Sequence, residues 1–256
     1  MKKYAVITFL FDGYDLLRNP LVVDENADYY CLTDSKTLKN DIWNCLYLEN
    51  MDTNSLNGVQ KTYMIKYSFY KYIPDNYDFF VTIDASLEIK DNLSPLIQMM
   101  TDENYDIGLS MHHYRCVWNE EYRAWVSRGV SNEEIEKFRF YSNKMGFDPN
   151  SKTGLIECTM KIYKNNGLNK LFIEEVYNTL NIMNDFKDKN DQCYFTCVLS
   201  RYINQFNPLF FTRQFYSDSK YFNMYHHKTN NRIVNTIPIE KTPNILFGKK
   251  VNIKIF

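Results

Sequence analysis

No glycine-rich turn follows any apolar run in this chain, and that absence removes several enzyme classes at once. Dinucleotide-binding proteins carry such a turn after the first strand, so that backbone can approach a pyrophosphate. Here the first apolar run ends in Phe11-Asp12-Gly13-Tyr14, with one glycine. A GxxxxGK[ST] phosphate loop and a GxSxG elbow are also missing. NAD-dependent enzymes, P-loop kinases and serine hydrolases are therefore not expected. No cysteine pair has the CxxC spacing of a zinc site, the six lying at 31, 45, 116, 158, 193 and 197. Cys193 and Cys197, four apart, are expected to share one buried helix face. No apolar stretch approaches the ~20 residues of a spanning helix. The opening run, Tyr4 to Phe11, stops at Asp12 without a small-residue cleavage site, so a buried strand is expected rather than a signal peptide. A reduced, cytoplasmic location follows as the expectation, with peripheral membrane contact left open. Charge of one sign is lacking too. With 30 Lys plus Arg against 31 Asp plus Glu, a nucleic-acid binder that works by neutralising phosphates is not expected.

What is present is a chain of 256 residues, 45% hydrophobic, with no internal repeat and no low-complexity linker. A single domain is expected over 1–256. Its 21 Tyr and 18 Phe can fill a core, and exposed ones also stack on sugar rings and bases. Tyr4 to Leu10 reads as a strand covered on both faces. Further strands are expected at 28–34, 42–48, 77–83 and 107–111. A helix is expected from Lys61 to Ile73, stopped by Pro74, and another from Leu93 to Met100. This alternation predicts an α/β sheet with mostly parallel central strands, whose post-strand loops share one edge. Ligands bind at such an edge. Beyond residue 110, Ser131-Asn132-Glu133-Glu134 is a capping box opening a helix. Leu155 to Tyr163 reads as a strand returning to the sheet. Helices are expected around Leu168 to Leu180 and over Asp191 to Ile203, and a short last strand around Val251 to Ile255.

A sheet without glycine loops can bind a nucleotide through carboxylates at strand ends. Asp34, closing the second strand, is placed either to accept from a ribose or base or to cap a turn with Ser35. Asp84 ends the apolar run Phe79 to Ile83, where a carboxylate is favourable only if solvent, a metal or a ligand meets it. Ser86, two residues on, faces the same side if the strand continues. The alternative is an ordinary strand-ending Asp that caps a turn. Replacing Asp84 by Ala is expected to cost little stability, because a strand-end carboxylate contributes little packing.

The order strand, Tyr30-Cys31-Leu32-Thr33-Asp34, Lys/Tyr-rich helix, and Asp75-Asn76-Tyr77-Asp78-Phe79-Phe80-Val81-Thr82-Ile83-Asp84-Ala85 resembles glycosyltransferases of the GT-A kind. More narrowly, it is similar to a plant and bacterial glycosyltransferase-like family once catalogued only as a domain of unknown function. Met111-His112-His113-Tyr114-Arg115-Cys116-Val117-Trp118-Asn119-Glu120-Glu121, Gly154-Leu155-Ile156-Glu157 and Asn190-Asp191-Gln192 resemble later segments of that family, so the likeness spans roughly residues 4 to 227.

The resemblance implies a Rossmann-like GT-A fold with a nucleotide-binding half at about 1–110 and an acceptor-side half at about 111–256. It implies transfer of a sugar from a nucleotide-sugar, with a UDP-sugar as the expected donor, to a glycan, a lipid-linked glycan or another hydroxyl acceptor. Phe11, Asp12, Asp34, Lys61, Lys66, Asp84 and Ser86 would border the donor, one of the two lysines reaching its phosphate and the other remaining solvated. His113, Arg115, Glu121 and Gln192 would lie on the acceptor side. Asp191 would stand near the transferred sugar, as general base or as a binder of donor hydroxyls, or else serve as a plain helix N-cap. Many GT-A enzymes carry Asp-x-Asp where this chain has Asp84-Ala85-Ser86. A divalent cation, Mn or Mg, on Asp84 is therefore an open expectation, with His226 or its neighbour His227 completing the shell. A binding module that keeps the fold without catalysis is the competing expectation.

Overall fold

The computed structural model describes residues 3–49, 56–116, 121–127, 129–148, 153–182, 191–217, 219–233, 244–247 and 249–254. At 113–116, 122, 214 and 217 the description is of the backbone alone. The first apolar run forms β1 (Tyr4–Leu10), buried at every position. Ala5, Ile7 and Phe9 enter one core, while Tyr4, Val6 and Leu10 enter the other. That is the two-residue period of a strand packed on both faces. β2 (Ala27–Thr33) pairs with β1 in parallel, and β3 (Asn44–Tyr47) extends the sheet beyond it.

The expected helix at 61–73 starts earlier and is shorter. Asn57 caps the N–H groups of Val59 and Gln60, and the Gln60 side chain returns to the Asn57 N–H, so α1 spans Gly58–Lys66. One 3₁₀ turn, Phe69–Lys71, follows. β4 (Phe79–Asp84) then pairs with β1 in parallel on its other side. Next come β5 (Leu87–Ile89), α2 (Ser94–Asp102) with Pro95 in its first turn, and β6 (Ile107–Cys116). The later half adds α3 (Glu121–Ser127), α4 (Asn132–Lys144), β7 (Gly154–Lys164), α5 (Gly167–Ile182), α6 (Asp191–Tyr202) and β8 (Pro208–Phe211). It closes with α7 (Gln214–Ser217), β9 (Phe222–Tyr225), β10 (Arg232–Ile233), β11 (Ile245–Leu246), β12 (Lys249–Lys250) and β13 (Ile253–Lys254).

Eight strands form the main sheet in the order β13-β8-β6-β7-β4-β1-β2-β3. Every pairing in it is parallel except the two made by β7, which runs antiparallel to β4 and β6. This is the mixed, mostly parallel α/β sheet flanked by helices that the sequence predicts. One core packs α1, α4, α5 and α6 on one face through Ile65, Phe138, Phe172 and Phe195. The other packs α2, β5, α7 and β9 on the opposite face through Leu96, Ile97, Leu87, Phe215 and Phe222. β5 and β9 pair antiparallel in a small second sheet with β10. Among the described residues, no helix is long and apolar enough to cross a membrane.

Candidate active site

Three segments meet where β1 and β4 end. Phe9 pairs with Asp84 across the parallel ladder, so the loop after β1 and the end of β4 leave the sheet side by side. β7 runs the other way and pairs Met160 with Ile83, which carries Cys158 and Thr159 past the same end. The first turn of α6 brings Asp191 and Gln192, α1 brings Tyr63 and Lys66, and the loop after β9 brings His227. Together they line a cleft of about 260 Å³.

Lys66 lies at its centre. The side chain is 3% exposed, and its Nζ donates to Asp84 Oδ1 at 2.7 Å and lies 3.7 Å from Asp191 Oδ2. Burial alone would lower the lysine pKa, but the two carboxylates outweigh it and hold the pKa above its ordinary value. Asp191 Oδ2 also accepts from the buried Tyr67 hydroxyl at 2.7 Å. Gln192 contributes a buried amide oxygen, Oε1, that finds no hydrogen-bond partner among the described residues. A buried acceptor left open costs free energy unless something fills it, and this one belongs to a residue of the cleft wall.

On the facing side, Asp15 is 4% exposed and orients His227, whose Nδ1 lies 2.7 Å from Asp15 Oδ2. That hydrogen bond raises the imidazole pKa against the opposing effect of burial. Arg18 ties the two loops together, donating to Asp15 Oδ1, to the Ala85 carbonyl and to the Thr229 carbonyl while stacking over Tyr225.

Of the residues singled out from sequence, Phe11, Lys66, Asp84, Asp191, Gln192 and His227 line the cleft. Asp12, Asp34 and Lys61 do not; they form a network just behind Phe11. Lys61 Nζ lies 2.7 Å from Asp12 Oδ1 and 2.9 Å from Asp34 Oδ2, and the Asp12 N–H donates to Asp34. The network holds Asp12 at φ 52° and Gly13 at φ 57°, left-handed positions that a turn requires and that Asp tolerates. Neither lysine is left to solvent, contrary to the expectation for one of them, because each has a carboxylate within hydrogen-bond reach.

Ser86 corrects another expectation. The strand stops at Asp84, Ala85 and Ser86 form a turn, and Ser86 is buried away from the cleft wall. His226 is exposed and also off the wall, and of the two adjacent histidines it is His227 that lines it. Glu121 is buried at the start of α3 and does not line the cleft. The His113 and Arg115 side chains, the stretch 117–120 with Glu120, and Asn190 lie outside the described residues. Asp15, Tyr63, Tyr67, Cys158 and Thr159 belong to the site and were not singled out from the sequence.

Among the described residues, no group of three or more His, Cys, Asp or Glu side chains is placed to hold a metal ion. Of the carboxylates lining the cleft, Asp15 is held by Arg18 and His227 and Asp191 by Tyr67 and Lys66, so Asp84, with one oxygen bound by Lys66, and His227 are the side chains best placed to meet a cation. That set fits an ion arriving on a ligand's phosphates, since Mg²⁺ is commonly held by one or two carboxylates plus substrate oxygens and water.

No family model and no curated protein matches the sequence. Among solved structures, the chain is similar to mouse xyloside xylosyltransferase 1 in its apo form. The two are 11% identical with a TM-score of 0.44, over 81% of this chain and 84% of that one. A likeness of that order bears on no residue of the site.

Proposed function

We propose that this chain transfers a sugar from a nucleotide-sugar, with UDP as the nucleotide, to a hydroxyl of a glycan or lipid-linked glycan. The observation that carries the reading is a cleft at the carboxyl ends of β1 and β4, where Lys66 and His227 face Asp84, Asp191 and the open Gln192 Oε1. Crevices at such strand ends are where open α/β sheets bind ligands. Transfer makes a diphosphate leave, and its growing charge is stabilised best by cations already fixed in a site with little water. Lys66 and the Asp15-held His227 supply them. A divalent cation, when bound, would be met by Asp84 and by His227 in its neutral form, taking the place of the imidazolium charge at the leaving group.

Asp191 fits the role of a fixed acceptor for donor hydroxyls better than that of a base. Its Oδ2 already accepts the Tyr67 hydroxyl hydrogen bond and faces Lys66, which leaves that oxygen engaged rather than free to take an acceptor's proton. Gln192 Oε1 would accept from a neighbouring sugar hydroxyl. A binding module without catalysis is the second reading, favoured by the lone carboxylate of Asp84-Ala85-Ser86.

A panel of nucleotide-sugars tested by thermal shift separates these. At one hundred times Kd a ligand adds about 2.7 kcal/mol, a rise of roughly 5–10 °C for a chain of this size. Asp84→Asn should lose both that rise and transfer. Stabilisation without turnover or slow donor hydrolysis would favour the module. If no nucleotide-sugar stabilises the protein, both readings fall.

A further inference from the structure

One buried cation stands behind the cleft without touching it. Lys161, on β7, is 0% exposed, and its Nζ donates to the Cys158 carbonyl at 2.7 Å. It sits 5.3 Å from the ring centres of both Tyr67 and Phe195. Among the described residues no carboxylate pairs with it directly. A lysine so placed is unfavourable unless nearby charge compensates it. The compensating charge is in the cleft wall, where Asp84 and Asp191 face a single ammonium, that of Lys66. With Lys161 protonated, two carboxylates meet two ammonium groups. With Lys161 neutral, Lys66 is the one ammonium facing the two carboxylates, and the wall is one charge more negative toward whatever enters.

We propose that Lys161 is a positioning residue for the anionic donor, its buried charge balancing Asp84 and Asp191 and acting on Asp191 through the Tyr67 ring and hydroxyl. This rests on the donor reading given above. The groups facing Lys161 are Cys158 on its own strand, Lys66 and Tyr67 from α1 and its end, Asp191 and Phe195 from α6, and Asp84 from β4. Burial lowers the lysine pKa first, Cys158 raises it, Lys66 lowers it further, and Asp191 and then Asp84 raise it, leaving it at about 8. Cys158 does not compete for the proton nearby, because burial pushes its thiol up to about 12. The site therefore changes charge just above neutral pH, through a residue the ligand never touches.

The consequence is measurable with UDP as the probe, by titration calorimetry with magnesium present throughout. An anion that favours protonated Lys161 lifts its pKa, and each unit lifted makes affinity fall roughly tenfold by the time pH has passed the raised, ligand-bound value. The wild type should lose about that much between pH 7 and pH 9.5, and should take up protons on binding near pH 8. Lys161→Arg, which keeps its charge at every pH tested, should hold its affinity across the range. Lys161→Met should bind weakly at pH 7 with no proton uptake. His227→Gln removes the imidazole, whose pKa Asp15 raises, and should leave the fall above pH 8 in place. An Arg variant that loses affinity in parallel with the wild type would overturn the proposal, whether or not the Met variant folds. Absence of UDP binding at pH 7 would instead remove the donor reading, and this inference with it.

Discussion

His227 gains a carboxylate partner on folding, and the sign of its effect on stability follows from that. Asp15 raises the imidazole pKa above its ordinary value of 6.5, so the folded state holds the proton more tightly than the unfolded chain. The stabilisation is complete below pH 6.5 and is lost as pH rises through the higher folded value. His227→Gln should therefore cost more stability at pH 6 than at pH 9, as read by urea unfolding at both. An equal loss at the two values would mean that the Asp15 contact does not depend on the charge of the ring. Asp84 carries a second lesson at this scale. As a strand-end carboxylate it looked cheap to replace, yet it meets a lysine that is 3% exposed, and removing one partner of a buried pair leaves the other uncompensated. The sequence marks Asp84 as unusual because it closes an apolar run; it does not mark Lys66, 18 residues earlier, as its partner.

At the scale of elements, the first turn of α1 is fitted against the loop after β1. A methyl group on Gly58 would stand 2.6 Å from the Phe11 carbonyl oxygen and 2.9 Å from Asp12 Cβ. Alanine in a helix ordinarily gains about 1 kcal/mol over glycine. Gly58→Ala should reverse that sign and lose about 1–3 kcal/mol through forced backbone shifts, with a lower melting temperature as the readout. Such a clash is invisible in sequence, where the helix is expected to begin only at Lys61, beyond Gly58. Long apolar runs such as Tyr4–Leu10 and Phe79–Ile83 were readable because burial on both faces leaves each with a single polar residue, Thr8 and Thr82. The direction of β7 was not, since an apolar run has the same composition read either way. β5, β8 and β9, of 3, 4 and 4 residues, are too short for periodicity to register. The choice between His226 and His227 was also beyond the sequence, because it depends on the turn that follows β9.

For the whole molecule, the sheet order sets which strands open last. β1, β4 and β7 lie inside with partners on both sides, whereas β3 and β13 close the edges. Amide exchange in β1, β4 and β7 should require global unfolding, while β3 and the β11–β12 hairpin should exchange through local opening. Exchange from β4 as fast as from β3 would contradict this order. The cleft draws on α1, both inner strand ends, β7, α6 and the loop after β9, so no contiguous stretch of sequence displays it. Its acidic and basic members were visible one by one; their convergence depends on chain reversals far apart.

The antiparallel placement of β7 also bears on how the protein is made. During synthesis β1, β2 and β4 leave the ribosome first, and one edge of β4, with Phe79, Phe80 and Val81 along it, has as its partner a strand that begins only at Gly154. At roughly 5–20 residues per second, that edge waits on the order of several seconds with its amides and carbonyls unpaired. An open apolar edge is a template for the wrong partner. Yield in the cell should thus depend on translation speed between Asp84 and Gly154 and on chaperones that shield a nascent strand.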